Sequence, residues 1–352
     1  MKHGYFHLVL LYCIKQFNGE RSLSAIYHLL NGKKSSQTIQ DGKLFNLSHM
    51  FSLFPRLSRQ YLNEACEELL QEDLLELLPN QHYFVTDKGK FMLNERLAKR
   101  PLPAKLNGWE YGDLGRIFWR RLSLLVQVLS NFVYERKQYL PLTKNQEDLL
   151  WVKSFLNQIP ISKSDLAEEL YKEIKDFLLL QTTNRAAIFT QRLTSSQTIG
   201  LTFEQIARKH NEDPTFVYLL FWDVIHSMVD FQKTEKQDSI FYAIIKDKRQ
   251  NNSLTSSSAK TRAYLLQGIT LQDIAAIRKL KISTIEDHIV EITLHDQSFI
   301  PSAFLSTEDF EEISEAIKSL HTHQLKKIKE YLNHKYSYFQ IRLAFAINGR
   351  NG

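Results

Sequence analysis

A mainly α protein is the fold that the sequence predicts, on three observations. Apolar residues recur at three- and four-residue spacing along most of the 352 residues, the period of a half-buried helix. Capping residues stand where those periodic stretches begin. Glycine and proline number only 12 and 8, below average usages of about 7% and 5%, which disfavours a many-turned β architecture. A chain of this length holds two or three domains. The reading is a winged-helix-like domain over residues 1–100, an all-helical middle bundle over 101–245, a flexible linker over 246–259 and a helix-turn-helix domain over 260–352.

The apolar run from Phe6 to Ile14 superficially matches a signal peptide. It contains His7, ends at Lys15 and lacks a small-residue cleavage site, so it reads as a buried first helix. A helix over 23–30 should stop at Gly32. Another periodic stretch runs from polar 35–40 to Phe54 and ends at Pro55. Ser58 caps the next helix, with Tyr61, Leu62, Ala65, Leu69 and Leu70 as its buried stripe. Residues 74–78 and 82–85 read as short strands joined at Pro79 and Asn80, and Thr86 to Gly89 opens another helix. This is a winged-helix order. The Ser58 helix carries Glu64, Glu67, Glu68, Glu72 and Asp73 against Arg59 alone, a charge that phosphates repel, so this domain is expected to meet protein. Lys33 and Lys34 read as a solvated helix end.

Pro101 and Pro103 mark the first boundary. Arg116, Arg120 and Arg121 share a helical face beside Trp119, and read as a solvated face beside a core tryptophan in preference to a stacking patch for single strands. Stripes such as Leu122, Leu125, Val126, Leu129 and Leu166, Leu170, Ile174, Phe177, Leu178 predict a packed bundle. Within it, Thr202 and Gln205 form a capping pair, Asp213 and Pro214 start a second helix, and aromatic Phe216, Tyr218 and Phe221 make this hairpin architectural. The polar, serine-rich stretch 246–258 reads as a tether.

Residues Thr270 to Ile289 have helix-turn-helix spacing. Thr270 and Asp273 start one helix; Ser283 and Glu286 form the corresponding pair for a second. Leu271, Ile274 and Ala275 face Ile285 and Ile289, with Ile282 plugging the turn. In such a motif the second helix enters the major groove N-terminus first. The candidate DNA-binding residues are therefore Ser283, Thr284, Asp287 and His288 on that helix, and Arg278, Lys279 and Lys281 in the turn and just before it. Lys248, Arg249 and Lys260 are candidates in the tether and just beyond. Glu286, Asp287 and Glu291 dilute the positive charge. Ser306 or Thr307 caps an acidic helix from Glu308 to His321, and the segment 325–346 starts lysine-rich.

With Ser35 to Asp41, Ser257 to Thr261, Gly268 to Ala275 and Ser283 to Ile289, the chain resembles the YpbB family of Firmicute bacteria, whose C-terminal domain is similar to the helix-turn-helix appended to some RecQ-type helicases. The resemblance spans most of the chain. It implies an accessory to a RecQ-type helicase in DNA repair or replication, and supplies no catalytic residues.

The formal charge of +6 is compatible with nucleic acid without demanding it. There is no phosphate loop, His-Glu-x-x-His, nucleophile elbow or paired-cysteine motif, so no catalytic residue, metal or cofactor is expected. His321 and His323 point to different faces and read as solvent-facing. Cys13 and Cys66 read as buried reduced thiols, and no stretch approaches the ~20 apolar residues of a membrane span. The expectation is a cytoplasmic, nucleoid-associated, non-enzymatic DNA-binding adaptor. A sequence-specific regulator, which needs a dimer, and a protein-interaction module without DNA contact are the alternatives.

Overall fold

Eighteen α-helices and one two-stranded hairpin make up the described residues of the computed structural model, which are 4–234, 239–248 and 254–351. The N-terminal elements are α1 (Tyr5–Phe17), α2 (Leu23–Asn31), α3 (Ser36–Leu44), α4 (Arg59–Gln71), β1 (Leu75–Leu78), β2 (His82–Val85) and α5 (Asp87–Lys99). The middle of the chain holds α6 (Gly108–Val133), α7 (Gln146–Gln158), α8 (Lys163–Leu179), α9 (Thr183–Arg192), α10 (Phe203–His210), α11 (Pro214–Thr234) and α12 (Ile240–Ile245). The C-terminal elements are α13 (Ser256–Leu265), α14 (Leu271–Arg278), α15 (Ile282–His295), α16 (Thr307–Leu320), α17 (Leu325–Tyr331) and α18 (Tyr338–Asn348).

Tertiary contacts group residues 1–9 with 93–249, and 10–92 with 250–352. Residues 10–92 and 250–352 therefore share a unit, although chain order separates them.

In the first of these units α6 is the spine, packed against α7, α8, α11 and α12. The apolar stripes read from the sequence are inside: Leu122, Leu125, Leu129, Leu166 and Leu170 are buried. Arg121 corrects the solvated-face reading. It is 1% exposed, donating Nη1 and Nη2 to the Asp247 carboxylate at 2.5 and 2.9 Å and Nη1 to the Ile244 carbonyl, with its guanidinium over the Trp151 ring. A buried guanidinium is tolerated only with such pairing. Arg120 and Arg116 pair with Asp148 and Asp113, and Trp119 packs edge-on to Phe189 and Phe221. Carboxylates also fasten helix starts here. Asp213 receives the Tyr5 N–H at 3.0 Å, Glu173 receives those of Ile240 and Phe241, and buried Asp223 receives that of Lys105. Beside it, His226 Nδ1 accepts the Asn107 N–H.

The N-terminal part of the second unit keeps the winged-helix order, with an isolated bridge from Ser22 to His82 extending the β1–β2 hairpin. Ser58 caps α4 by accepting the Tyr61 N–H. The buried stripe of α4 is Leu62, Ala65, Cys66 and Leu69, whereas Tyr61 is exposed. Helix α3 stops at Leu44 and does not run on to Phe54, because Asn46 turns left-handed at φ 53°, a conformation asparagine tolerates. Burial pushes the thiols of Cys13 and Cys66 up to about 12 and 11, so neither is a reactive thiolate.

The C-terminal part surrounds α15, which packs on α13, α14, α18 and α3. Its core gathers Ile274, Ile285, Ile289, Ile313, Ile328 and Ile341. The tether reading is corrected over its last residues. Helix α13 starts at Ser256, and Ser258 is fully buried because buried Glu291 of α15 accepts from its hydroxyl and from the N–H and hydroxyl of Thr255. Ser306 caps α16. His323 is not simply solvent-facing: its N–H donates to Glu20, and its ring lies between Phe45 and Phe345.

Candidate nucleic-acid interface

Thr270 starts α14 as its spacing suggests, its hydroxyl accepting the Asp273 N–H. Nine residues later Lys279 turns left-handed at φ 52°. The Leu280 N–H then reaches back to the Ala275 carbonyl at 2.9 Å and that of Lys279 to Ala276, the paired closure that ends many helices. Three residues separate α14 from α15. Ile274 and Ala275 meet Ile285 and Ile289 in the core. The start of α15 differs from the reading in two respects. The cap position is Lys281, with no side-chain cap, so Ser283 lies inside the first turn; and Ile282 is half exposed, not plugging the turn.

The same geometry occurs 68 residues earlier: Thr202, Asn211 and Pro214 occupy the places of Thr270, Lys279 and Ile282. Asn211 is also left-handed at φ 52°, and the Glu212 N–H also returns to Ala207. What differs is the cover on the second helix. At the start of α11, Phe216 is packed by the Tyr5 ring at 4.7 Å and by the Arg100 guanidinium, and Asp213 is committed to capping. At the start of α15, Lys281, Ile282 and Ser283 are exposed and Thr284 is half-buried.

The candidate residues fall into distinct groups. Lys279, Lys281 and Ser283 are exposed on the turn and the first turn of α15, with Thr284 beside them. Lys260 is exposed on α13. Arg278 is turned inward: Nη1 and Nη2 donate to the Ser257 carbonyl and hydroxyl, both at 2.9 Å, and Nη1 also reaches the Thr261 hydroxyl and His288 Nδ1. His288 is buried, with Nδ1 2.9 Å from the Thr261 hydroxyl. Burial, and then the neighbouring Arg278 charge, push its imidazole down to about 4. It is a neutral interior ring, not a contact for bases. Asp287 is paired with Arg342 of α18. Lys248 belongs with Glu147, its ion-pair partner, to the unit of residues 1–9 and 93–249, and Arg249 lies outside the described residues. Ser257, Thr261 and Arg342, which hold three of the predicted side chains, carry no signal in local spacing.

Over 345 residues the chain is 38% identical to "Protein YpbB" of Bacillus subtilis (strain 168), covering 98% of this chain and 97% of that one. The chain belongs to the YpbB family. Residues 257–345 of this YpbB-family chain also match a helix-turn-helix domain family, from α13 to the middle of α18. No solved structure matches it. Among the described residues no group of three or more His, Cys, Asp or Glu is placed to hold a metal ion, and no helix is long and apolar enough to cross a membrane.

The exposed groups suit a phosphate backbone. Two ammonium groups flank the N-terminus of α15, whose unpaired N–H groups and dipole favour anions, and two hydroxyls stand within its first turn. Glu286 and Asp287 follow one turn on, and the Arg342 guanidinium offsets the second of them.

Proposed function

We propose that this chain is a non-enzymatic DNA-binding adaptor whose contact is the turn and first turn of α15, through Lys279, Lys281, Ser283 and Thr284. The observation that carries the reading is that the start of α15 is bare where the start of α11, in a motif of the same geometry, is covered. Helices of this kind reach base edges and phosphates with their first residues. The family resemblance read in the sequence supports a place beside a RecQ-type helicase in DNA repair or replication. The acidic α4 face supports assigning the N-terminal segment to protein contacts.

Binding of the full chain to single-stranded, duplex and forked DNA across a salt series tests this reading. The wild type should bind and weaken with salt. Replacing Lys279 and Lys281 by Ala should weaken binding to all sequences alike and lower the salt slope by about one for each lysine. No binding to any form would leave a protein-interaction module; strong preference for one sequence would favour the regulator.

A further inference from the structure

Helix α8 buries Leu166, Leu170, Ile174 and Phe177 against the bundle, yet the face beside that stripe exposes Tyr171 and Leu179. Together with the second half of α6 and with α9 it walls a trough of about 800 Å³, lined by Leu129, Val133, Tyr171, Leu178 and Leu179 among others. Tyr171 is 65% exposed and Leu179 72%, and patches of this kind mark interaction sites. The charged groups in the lining are Glu168 and Lys175 of α8. Both are exposed, and neither forms an ion pair with a described residue.

The order of groups along this face is self-complementary. Small Ser164 and Ala167 stand at one end, then Glu168, Tyr171 at the middle, Lys175, and large Leu178 and Leu179 at the other end. Glu168 and Lys175 are seven residues apart, about 10.5 Å along the axis. We propose that the trough receives a second copy of this chain, with the two α8 helices antiparallel about a two-fold axis near Tyr171. Glu168 then meets Lys175 of the partner subunit, and Lys175 meets Glu168 of the partner subunit. The bulky leucine end of each helix lies against the small-residue end of the other. A two-fold interface must be self-complementary in this way, and an antiparallel copy satisfies both charges at once. The proposal does not depend on DNA binding, and its failure leaves that reading intact.

Sedimentation equilibrium of the full chain over a wide concentration range tests it. The wild type should reach twice 41.3 kDa. Glu168→Lys and Lys175→Glu each place like charges together twice, and each should raise the dimer dissociation constant about tenfold. The double variant E168K/K175E restores opposite pairs across the axis and should return to near the wild-type value. Leu179→Ser, at an exposed position that leaves the bundle core untouched, should also favour the monomer. A chain that stays monomeric throughout overturns the proposal. So does a dimer indifferent to the single changes, or a double variant no better than either single one.

Discussion

At Arg278 the guanidinium spends its donors on Ser257, Thr261 and His288, while the next side chain, Lys279, is exposed. The two cations should separate by experiment. Arg278→Ala leaves buried acceptors unpaired and should cost about 2 kcal/mol of stability in urea unfolding, whereas Lys279→Ala should leave stability unchanged and act on DNA affinity. The buried imidazoles give a second prediction. His226 is held down to about 3 by burial and by Arg116, and His295 to about 4 by burial and by Lys43, alongside His288. Each binds its proton near pH 6.5 when the chain unfolds but only at these lower values when folded. The unfolded state therefore takes up more protons below pH 6.5, and stability should fall as pH drops from 6.5 to 5. The slope should approach about 1.4 kcal/mol per pH unit for each histidine. The shifts of His28 and His49 have the same sign. Unfolding at stepped pH in this window checks it; flat stability would show that these rings protonate while folded.

Among the elements, the start of α13 is held to α15 by one carboxylate, because Glu291 accepts from Thr255 and Ser258 there while 3% exposed. Glu291→Ala should cost about 3 kcal/mol and speed hydrogen exchange in the first turn of α13 before that in α15. The caps at Ser58, Thr202 and Thr270, the Leu62, Ala65 and Leu69 positions of the α4 stripe, and the core residues Ile274, Ala275, Ile285 and Ile289 of α14 and α15 were legible in sequence because a cap and a 3.6-residue period are local. The exposed half of the candidate interface, Lys279, Lys281 and Ser283, followed from the same spacing. The inward turn of Arg278 and His288 was not legible, since their partners Ser257 and Thr261 come from a helix hidden in a serine-rich stretch. Arg121 was misread for the same reason: its partner Asp247 lies 126 residues away.

In the molecule as a whole, the segment 10–92 shares part of its packing with 250–352. Arg21 and Asp41 pair at 2.7 Å within it, but Phe45 packs on His323, Glu20 holds Thr322 and His323, and α3 lies against α15 and α18. An isolated 10–92 fragment should lack a cooperative unfolding transition, and adding the 250–352 fragment should restore one if the two recognise each other; circular dichroism with urea reads both. Cooperative unfolding of 10–92 alone would contradict this dependence. The same discontinuity sets a clock on biosynthesis. Ile282 follows Leu44 by 238 residues, so at about 5–20 residues per second a ribosome takes roughly 12–48 s to supply the cover for α3. Until then the face holding Gln40 and Leu44 stays open to water and to other nascent chains, and a message cut short before α15 yields a polypeptide that cannot close it.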